Sequence, residues 1–256
     1  MMAGLRLALT VAAMLGLGAC GAAGDALRPP DGGDGADGAD VGGDAAPTCE
    51  RWVLAGQVTN ARELGGWPLQ GGAWVACGRL LRGGTLIGLD GAGCEAFAAL
   101  GIRTVIDLRD QASQVARPPP ACVGAAARVV QAPLPKLLPD TVATYLALLE
   151  ERASIRLAFE ALAGADALPA YVHCEIGRAR ASVLAALLLL ALGAERATVL
   201  EEFDLSNQAG VEVHAEHLEA VLDALDAQGG IEAYLEGAGV TSTALESFRA
   251  RARQER

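Results

Sequence analysis

The sequence predicts an α/β fold, a central sheet flanked by helices with a helical C-terminal region. Three observations carry this. Ile102-Arg103-Thr104-Val105-Ile106-Asp107-Leu108-Arg109-Asp110 has the β-branched apolar centre of an interior strand. Tyr171-Val172-His173 is a short apolar strand, and after a loop it leads into Ala181–Leu192, apolar nearly all round, as a helix buried against a sheet must be. Strands and helices alternate up to that point and helical patterns alone follow it, the order of an α/β domain.

In chain order, the first element is a leader. Arg6 gives a thin positive start, and Leu7–Gly18 is an apolar stretch of about a dozen residues. That is too short to span a bilayer as a helix and reads as a secretory signal. It ends in Leu17-Gly18-Ala19-Cys20, which resembles a bacterial lipobox. The resemblance implies that residues 1–20 are a lipoprotein signal peptide and that Cys20 carries lipid and becomes the mature N-terminus. Gly21 is not the aspartate that retains such proteins at the inner membrane, so the expected address is the cell envelope, at the outer membrane. Residues 21–48 repeat Asp, Gly and Ala without apolar periodicity and cannot bury a core; they read as a disordered acidic tether. The folded domain is therefore expected at 49–256. A net charge of −11 argues against a nucleic-acid partner.

Within the domain, Trp52-Val53-Leu54 and Trp74-Val75-Ala76 read as short strands, with a turn-rich stretch at Asn60–Gly66 between them. Leu86–Leu100 reads as a helix closed by Gly101, a good C-cap. Pro118–Pro120 marks a loop, and Arg128-Val129-Val130 another short strand. A long helix is expected over Thr141–Leu162, with Tyr145, Leu148, Leu149, Ile155, Phe159 and Leu162 on its apolar face. Beyond Leu192, helices are expected near 195–205, 211–228 and 230–237 and from about 242 to the end. His214 and His217, three apart on one of these, read as a solvated face rather than a metal site.

The chemistry concentrates between strand and buried helix, in His173-Cys174-Glu175-Ile176-Gly177-Arg178-Ala179-Arg180. Gly177 permits a tight loop and close backbone approach to a ligand. Inward amides of Glu175, Ile176, Gly177, Arg178, Ala179 and Arg180 would form an anion-binding nest, and the helix behind adds its positive end. Both favour a phosphate-sized dianion and a thiolate at Cys174, a competent nucleophile toward phosphorus. Arg180 can grip two phosphate oxygens with its planar fork. His173 is expected to fix the Cys174 backbone or thiolate.

These residues spell His-Cys-x-x-Gly-x-x-Arg, which resembles the signature loop of cysteine-based phosphatases. Asn60-x-Arg62-Glu63-Leu64-Gly65-Gly66, Arg79-x-x-Arg82, Gly101–Arg109, Phe203-Asp204-Leu205-Ser206-Asn207 and Tyr234-Leu235…Gly239-Val240 extend the likeness over nearly all of residues 55–250. Together they resemble the bacterial tyrosine phosphatase family that includes secreted, lipid-phosphatase-like members. The resemblance implies a cysteine-phosphatase-like fold, dephosphorylation through a phosphocysteine intermediate, and no metal or other cofactor. The chain departs from the pattern in three places. Glu63 replaces an aspartate. Arg178-Ala179 stand where Lys-Asp is common, and Ala179 cannot donate a proton. Ala181 stands where a Ser or Thr assists release of the cysteine, with Ser182 one place late.

The proton for the leaving oxygen must then come from elsewhere. Asp140, in Leu138-Pro139-Asp140, lies 34 residues before Cys174 and resembles the acid loop of classical tyrosine phosphatases; the competing role is N-cap of the helix starting at Thr141. Asp107 and Asp110 are alternatives at a strand's carboxyl end, with Asp107 and Arg109 more naturally an ion pair. Arg62 and Arg82 either reach phosphate or hold the fold. Glu175, beside the nucleophile, would repel a second phosphate.

Six cysteines are present; setting aside Cys20 and Cys174 leaves Cys49, Cys77, Cys94 and Cys122. In an exported chain an even number reads as two disulfides, against four buried thiols. Connectivity stays open, with the pairs nearest in the chain, 49–77 and 94–122, preferred.

The expected function is an exported, lipid-anchored cysteine phosphatase acting on phosphotyrosine protein or a small phosphomonoester. Two other readings compete: a catalytically impaired phospho-ligand binding module, and a phosphoinositide phosphatase.

Overall fold

The computed structural model describes residues 47–136 and 138–255. The leader with Cys20, and the tether up to residue 46, lie outside the described residues. No helix among those described is long and apolar enough to cross a membrane.

In chain order the elements are β1 (Arg62–Glu63), β2 (Trp74–Val75), β3 (Leu80–Gly83), α1 (Gly91–Ala99), β4 (Thr104–Asp107), α2 (Gln111–Ala116), α3 (Ala121–Ala126), β5 (Arg128–Gln131), α4 (Val142–Leu148), α5 (Arg152–Leu162), β6 (Ala170–His173), α6 (Ala179–Leu192), α7 (Arg196–Gln208), α8 (Ala215–Ala227), α9 (Gly230–Gly237), α10 (Ser242–Ala252) and β7 (Arg253–Gln254). The main sheet runs β1-β3-β6-β4-β5. β1 is antiparallel to β3; β3, β6, β4 and β5 are parallel. Gly83 and Asp107 are both in register with His173, so β3, β6 and β4 end level. The loop after β6 therefore leaves at the centre of the sheet's carboxyl edge, where α/β proteins place their ligand sites.

β3, β4 and β6 are buried at every position, as parallel strands covered on both faces are. The strand period of two divides the core. Leu81, Val105 and Tyr171 meet Phe97 of α1 and Val123 of α3 on one face. Ile106 and Val172 meet α6 and the C-terminal helices on the other. α6 is the axis of that second layer, with eleven buried residues out of fourteen.

The expected fold class is the one observed; several elements differ. The helix expected over Thr141–Leu162 is two, α4 and α5, broken where Glu151 adopts ψ 49° and where Tyr234 Oη donates to the Leu149 carbonyl at 2.7 Å. Trp52–Leu54 makes a single bridge, Trp52 to Arg62, rather than a strand. The turn-rich stretch contains β1, and Leu80–Gly83 is a sheet strand that its charge pattern concealed. The helix expected from Leu86 starts at Gly91, because Asp90 caps it by accepting from Gly93 N at 2.8 Å. Gly101 follows its end at φ +61°. The last helix stops at Ala252, and β7 pairs with β2 in a second, two-stranded sheet. Disulfides join Cys49 to Cys77 and Cys94 to Cys122, the second tying α1 to α3.

Candidate active site

The loop between β6 and α6 is held from behind, backbone against backbone. Gly177 has φ +72°, and a Cβ there would lie 2.6 Å from the Gly83 carbonyl carbon; both conformation and space demand glycine. Gly84 packs equally closely, with a Cβ position 2.9 Å from the Thr59 oxygen. Thr85 N donates to the Glu175 carbonyl at 3.0 Å. The Gly177 carbonyl accepts from Asn60 Nδ2 at 2.8 Å and from Arg82 Nη2 at 2.5 Å.

Those last two donors belong to a buried polar network. Glu202 of α7 accepts from Arg62 Nε at 2.6 Å and from Arg82 Nη1 at 2.9 Å. Ser206, one turn on, accepts from Arg62 Nη2 at 3.1 Å and Asn60 Nδ2 at 3.2 Å. Arg62 and Arg82 are wholly inaccessible to solvent, so they hold the fold and do not reach substrate. Burial and the neighbouring Arg82 push the Arg62 guanidinium down to about 10, with Glu202 opposing. Burial alone would raise the Glu202 carboxyl; the two arginines outweigh it and hold it below the usual carboxylate range. Glu202 carries no local signal in the sequence. Two arginines that flank a strand and enter a core require a carboxylate, and that requirement was the available signal.

His173 Nδ1 donates to the Cys174 carbonyl at 3.1 Å. Burial lowers its imidazole against the pull of Asp107, so it is neutral. Both Asp107 oxygens accept from Arg109, with Nη2 to Oδ2 at 2.6 Å. This is the ion pair anticipated, and it removes Asp107 from the list of proton donors. Asp110 caps α2, accepting from Ser113 N at 2.9 Å and Ser113 Oγ at 2.8 Å, and Arg180 Nη1 lies 3.8 Å from its Oδ2. The same Nη1 is 3.4 Å from the carbonyls of Leu108 and Leu134. Glu175 forms an ion pair with Arg117 at 2.8 Å. Ser182 Oγ accepts from Arg82 Nη2 at 2.8 Å, on the network side of α6.

In front of the loop is a pocket of about 170 Å³. Cys174, Glu175, Ile176, Arg178, Ala179 and Arg180 line it from the loop, Pro135, Lys136, Leu138 and Asp140 from the segment before α4, and Thr144 and Leu148 from α4. Cys174, Arg180 and Asp140 are thus brought together; His173, Gly177 and Ser182 do not line it. The N-cap role considered for Asp140 belongs instead to Thr141, whose Oγ1 accepts from Thr144 N at 3.4 Å. Asp140 Oδ2 stands 3.6 Å from Arg178 Nη1 and 3.8 Å from His217 Nδ1. His217 is buried and faces the pocket's acid, so it does not belong to a solvated face; His214 is the exposed one of the two. The sequence showed two histidines three apart on an amphipathic helix, with nothing to mark that one of them turns inward. Among the described residues, one group has its ligand atoms close enough for a metal ion, Cys49, Glu63 and Cys77; its two sulfurs are joined as a disulfide and offer no thiolate.

A thiol and an arginine framing a glycine-bearing loop, between the central strand and a buried helix, define a cysteine-based phosphatase. The chain belongs to the tyrosine phosphatase family, whose sequence profile matches residues 54–254. A Cupriavidus necator relative, provisionally named a tyrosine-protein phosphatase, is 30% identical over 224 residues covering 71% of this chain and 81% of the relative. Among solved structures, the core catalytic domain of the PP-IP phosphatase Siw14 from S. cerevisiae superposes with TM-score 0.40 at 11% identity, over 62% of this chain and 88% of that one. P. aeruginosa TpbA gives TM-score 0.37 at 16% identity, over 65% and 90%.

Proposed function

We propose that the chain is an exported, lipid-anchored phosphatase that hydrolyses phosphotyrosine or a similar phosphomonoester through a phosphocysteine intermediate. The observation that carries the mechanism is the convergence of Cys174, Arg180 and Asp140 on one pocket. The Cys174 thiolate attacks phosphorus from the loop, and its bond to phosphorus forms as the ester P–O bond breaks. Loop amides and the Arg180 fork hold the phosphoryl oxygens. Asp140 gives a proton to the departing oxygen. Water then attacks the phosphocysteine, Asp140 takes its proton, and the electron pair of the S–P bond returns to Cys174. Neutral His173 fixes the Cys174 carbonyl and takes no proton.

Export is supported by the leader and by four cysteines held in two disulfides, the usage of an oxidising compartment. Lipid attachment rests on Leu17-Gly18-Ala19-Cys20. On this reading the chain divides into a signal peptide (1–20), a tether (21–48) and the phosphatase domain (49–256). The pocket walls Pro135, Leu138, Leu148 and Ile176 are apolar and suit an aromatic ester. The test is a rapid-mix assay with an aryl phosphate beside Cys174→Ser. A burst with continued turnover, absent in the variant, is the expected result; no Cys174-dependent product sinks the reading. Binding of phosphate analogues without a burst would instead make the chain a phospho-ligand binding module.

One observation favours a second reading. Glu175 is paired with Arg117 and so repels a further phosphate less than its position implies, while Arg178 and Lys136 line the pocket. A phosphoinositide phosphatase would use these cations. Faster hydrolysis of inositide head groups than of phosphotyrosine peptides would decide for it.

A further inference from the structure

His217 sits in the first turn of α8, buried, with Nδ1 3.8 Å from Asp140 Oδ2. That nitrogen has no hydrogen-bond partner among the described residues, and a buried polar atom left unpaired is destabilising. The surrounding elements contribute few other charges. From α4, the Tyr145 ring packs at 5.0 Å; burial and then the Asp140 charge push its phenol up, so it stays neutral. From the turn before α8, the His214 ring meets it edge to face at 5.3 Å. From the loop before α6, Arg178 reaches the same Asp140 oxygen. Arg196 of α7 is engaged further along α8 with Asp223 and Asp226. The loop position that often carries a carboxylate is Ala179; here the pocket's carboxylate, Asp140, stands between Arg178 of the loop and His217 of α8.

Resting on the phosphatase reading above, we propose that His217 is a positioning residue and the proton partner of Asp140, the imidazole closing the 3.8 Å gap to pass a proton to and from the carboxylate during the reaction. A carboxylate that faces an imidazole has a neighbour able to hand it a proton and to take one back. As the P–O bond breaks, the Asp140 carboxyl protonates the leaving oxygen, and the proton it gives is the one supplied by Nδ1. The pair ends as carboxylate and neutral imidazole. In the second step water loses a proton to Asp140 and it returns to Nδ1, as the S–P electrons return to sulfur. The proton count closes over one cycle.

The test uses the full chain and phosphate esters of increasing leaving-group basicity, p-nitrophenyl, phenyl and alkyl. General acid catalysis is worth about 10²–10⁴-fold, and it matters most for the basic leaving groups. His217→Gln should therefore lower kcat/KM, which reports the phosphoryl-transfer step alone, by roughly 10–100-fold on phenyl and alkyl phosphates and by less on p-nitrophenyl phosphate. Asp140→Asn should show the same split, and the double variant should be no slower than Asp140→Asn. The alkaline limb of kcat/KM should move to lower pH in His217→Gln. An equal fall in kcat/KM for every ester, or losses that add in the double variant, would overturn the proposal, since a purely structural histidine behaves that way. A second measurement does not depend on turnover. In the Cys174→Ser protein, the NMR titration of His217 should fall to lower pH when Asp140 becomes Asn; an unmoved midpoint overturns the pair. Loss of all Cys174-dependent turnover would sink the phosphatase reading itself, and the NMR titration would then decide on the pair alone.

Discussion

Arg82 Nη2 donates to the Gly177 carbonyl at 2.5 Å, across 95 residues of chain. The bond joins the end of β3 to the middle of the loop that frames Cys174. It turns one carbonyl of the loop rearward, leaving the forward side to the pocket. Arg82 itself is positioned by Glu202, so the loop's geometry depends on a carboxylate that never touches the pocket.

Glu202→Ala should therefore cost both stability and activity. Removing one partner of a buried ion pair costs about 3–5 kcal/mol, and here two guanidiniums lose theirs. Thermal unfolding should show a Tm fall of many degrees. Where folded protein persists, phosphate-analogue affinity should drop with it; an unchanged Tm would mean that the network is not what holds the loop.

Gly177→Ala should leave the core intact and disable the loop. The added methyl demands a left-handed backbone from an L-residue and meets the Gly83 carbonyl carbon at 2.6 Å. Backbone strain of this kind costs about 1–3 kcal/mol, and misaligned amides should reduce kcat/KM by at least about 10²-fold. Near wild-type kinetics would contradict the close packing.

Arg180→Lys keeps the charge and loses the fork. One or two oriented hydrogen bonds to the phosphoryl oxygens disappear, for an expected loss of about 10²–10³-fold in kcat/KM. Equal rates for the two proteins would remove Arg180 from the phosphate site.

Acidification should weaken the fold in two stages. The His173 imidazole is lowered in the native state, so unfolded chains take up its proton first. Its contribution is complete above the ordinary histidine value near 6.5 and is lost as pH falls below it. Glu202 and Asp107 are held below the usual carboxylate range; their contribution is complete above about pH 4 and is lost below that. Tm measured against pH should show both declines, and His173→Asn should flatten the first. A Tm independent of pH between 7 and 5 would contradict the buried neutral imidazole.

Reduction should destabilise the N-terminal half. Each disulfide closes a separation of 28 residues, and such a link contributes about 2–4 kcal/mol. Cys94→Ser with Cys122→Ser should lower Tm accordingly. No change on reduction would mean that α1 and α3 hold together by packing alone.

The strand–loop–helix around Cys174 was legible because each of its signals is local: an apolar run, a glycine, a helix apolar all round. Asp140 was legible by position, though not its release from capping, since Asp140 and Thr141 are both good caps and only the backbone decides between them. β1 and β3 were illegible as strands because the residues that make them, Arg62, Glu63 and Arg82, are polar. The charge of the two buried arginines is matched by Glu202, more than a hundred residues away, and a pairing at that distance leaves no trace in a local pattern. The break between α4 and α5 is likewise fixed by Tyr234 from α9. His217 shows the same limit from the other side: periodicity put it on a helix, and tertiary packing chose the face.

With Cys49–Cys77 and Cys94–Cys122 closed, Cys174 is the one free thiol among the described residues. Peroxide that converts it to a sulfenic acid meets no resolving cysteine within the described fold, so the damage cannot be parked as an internal disulfide. Recovery falls to small thiols or a reductase in the surroundings, and the phosphatase becomes a readout of how reducing its compartment is.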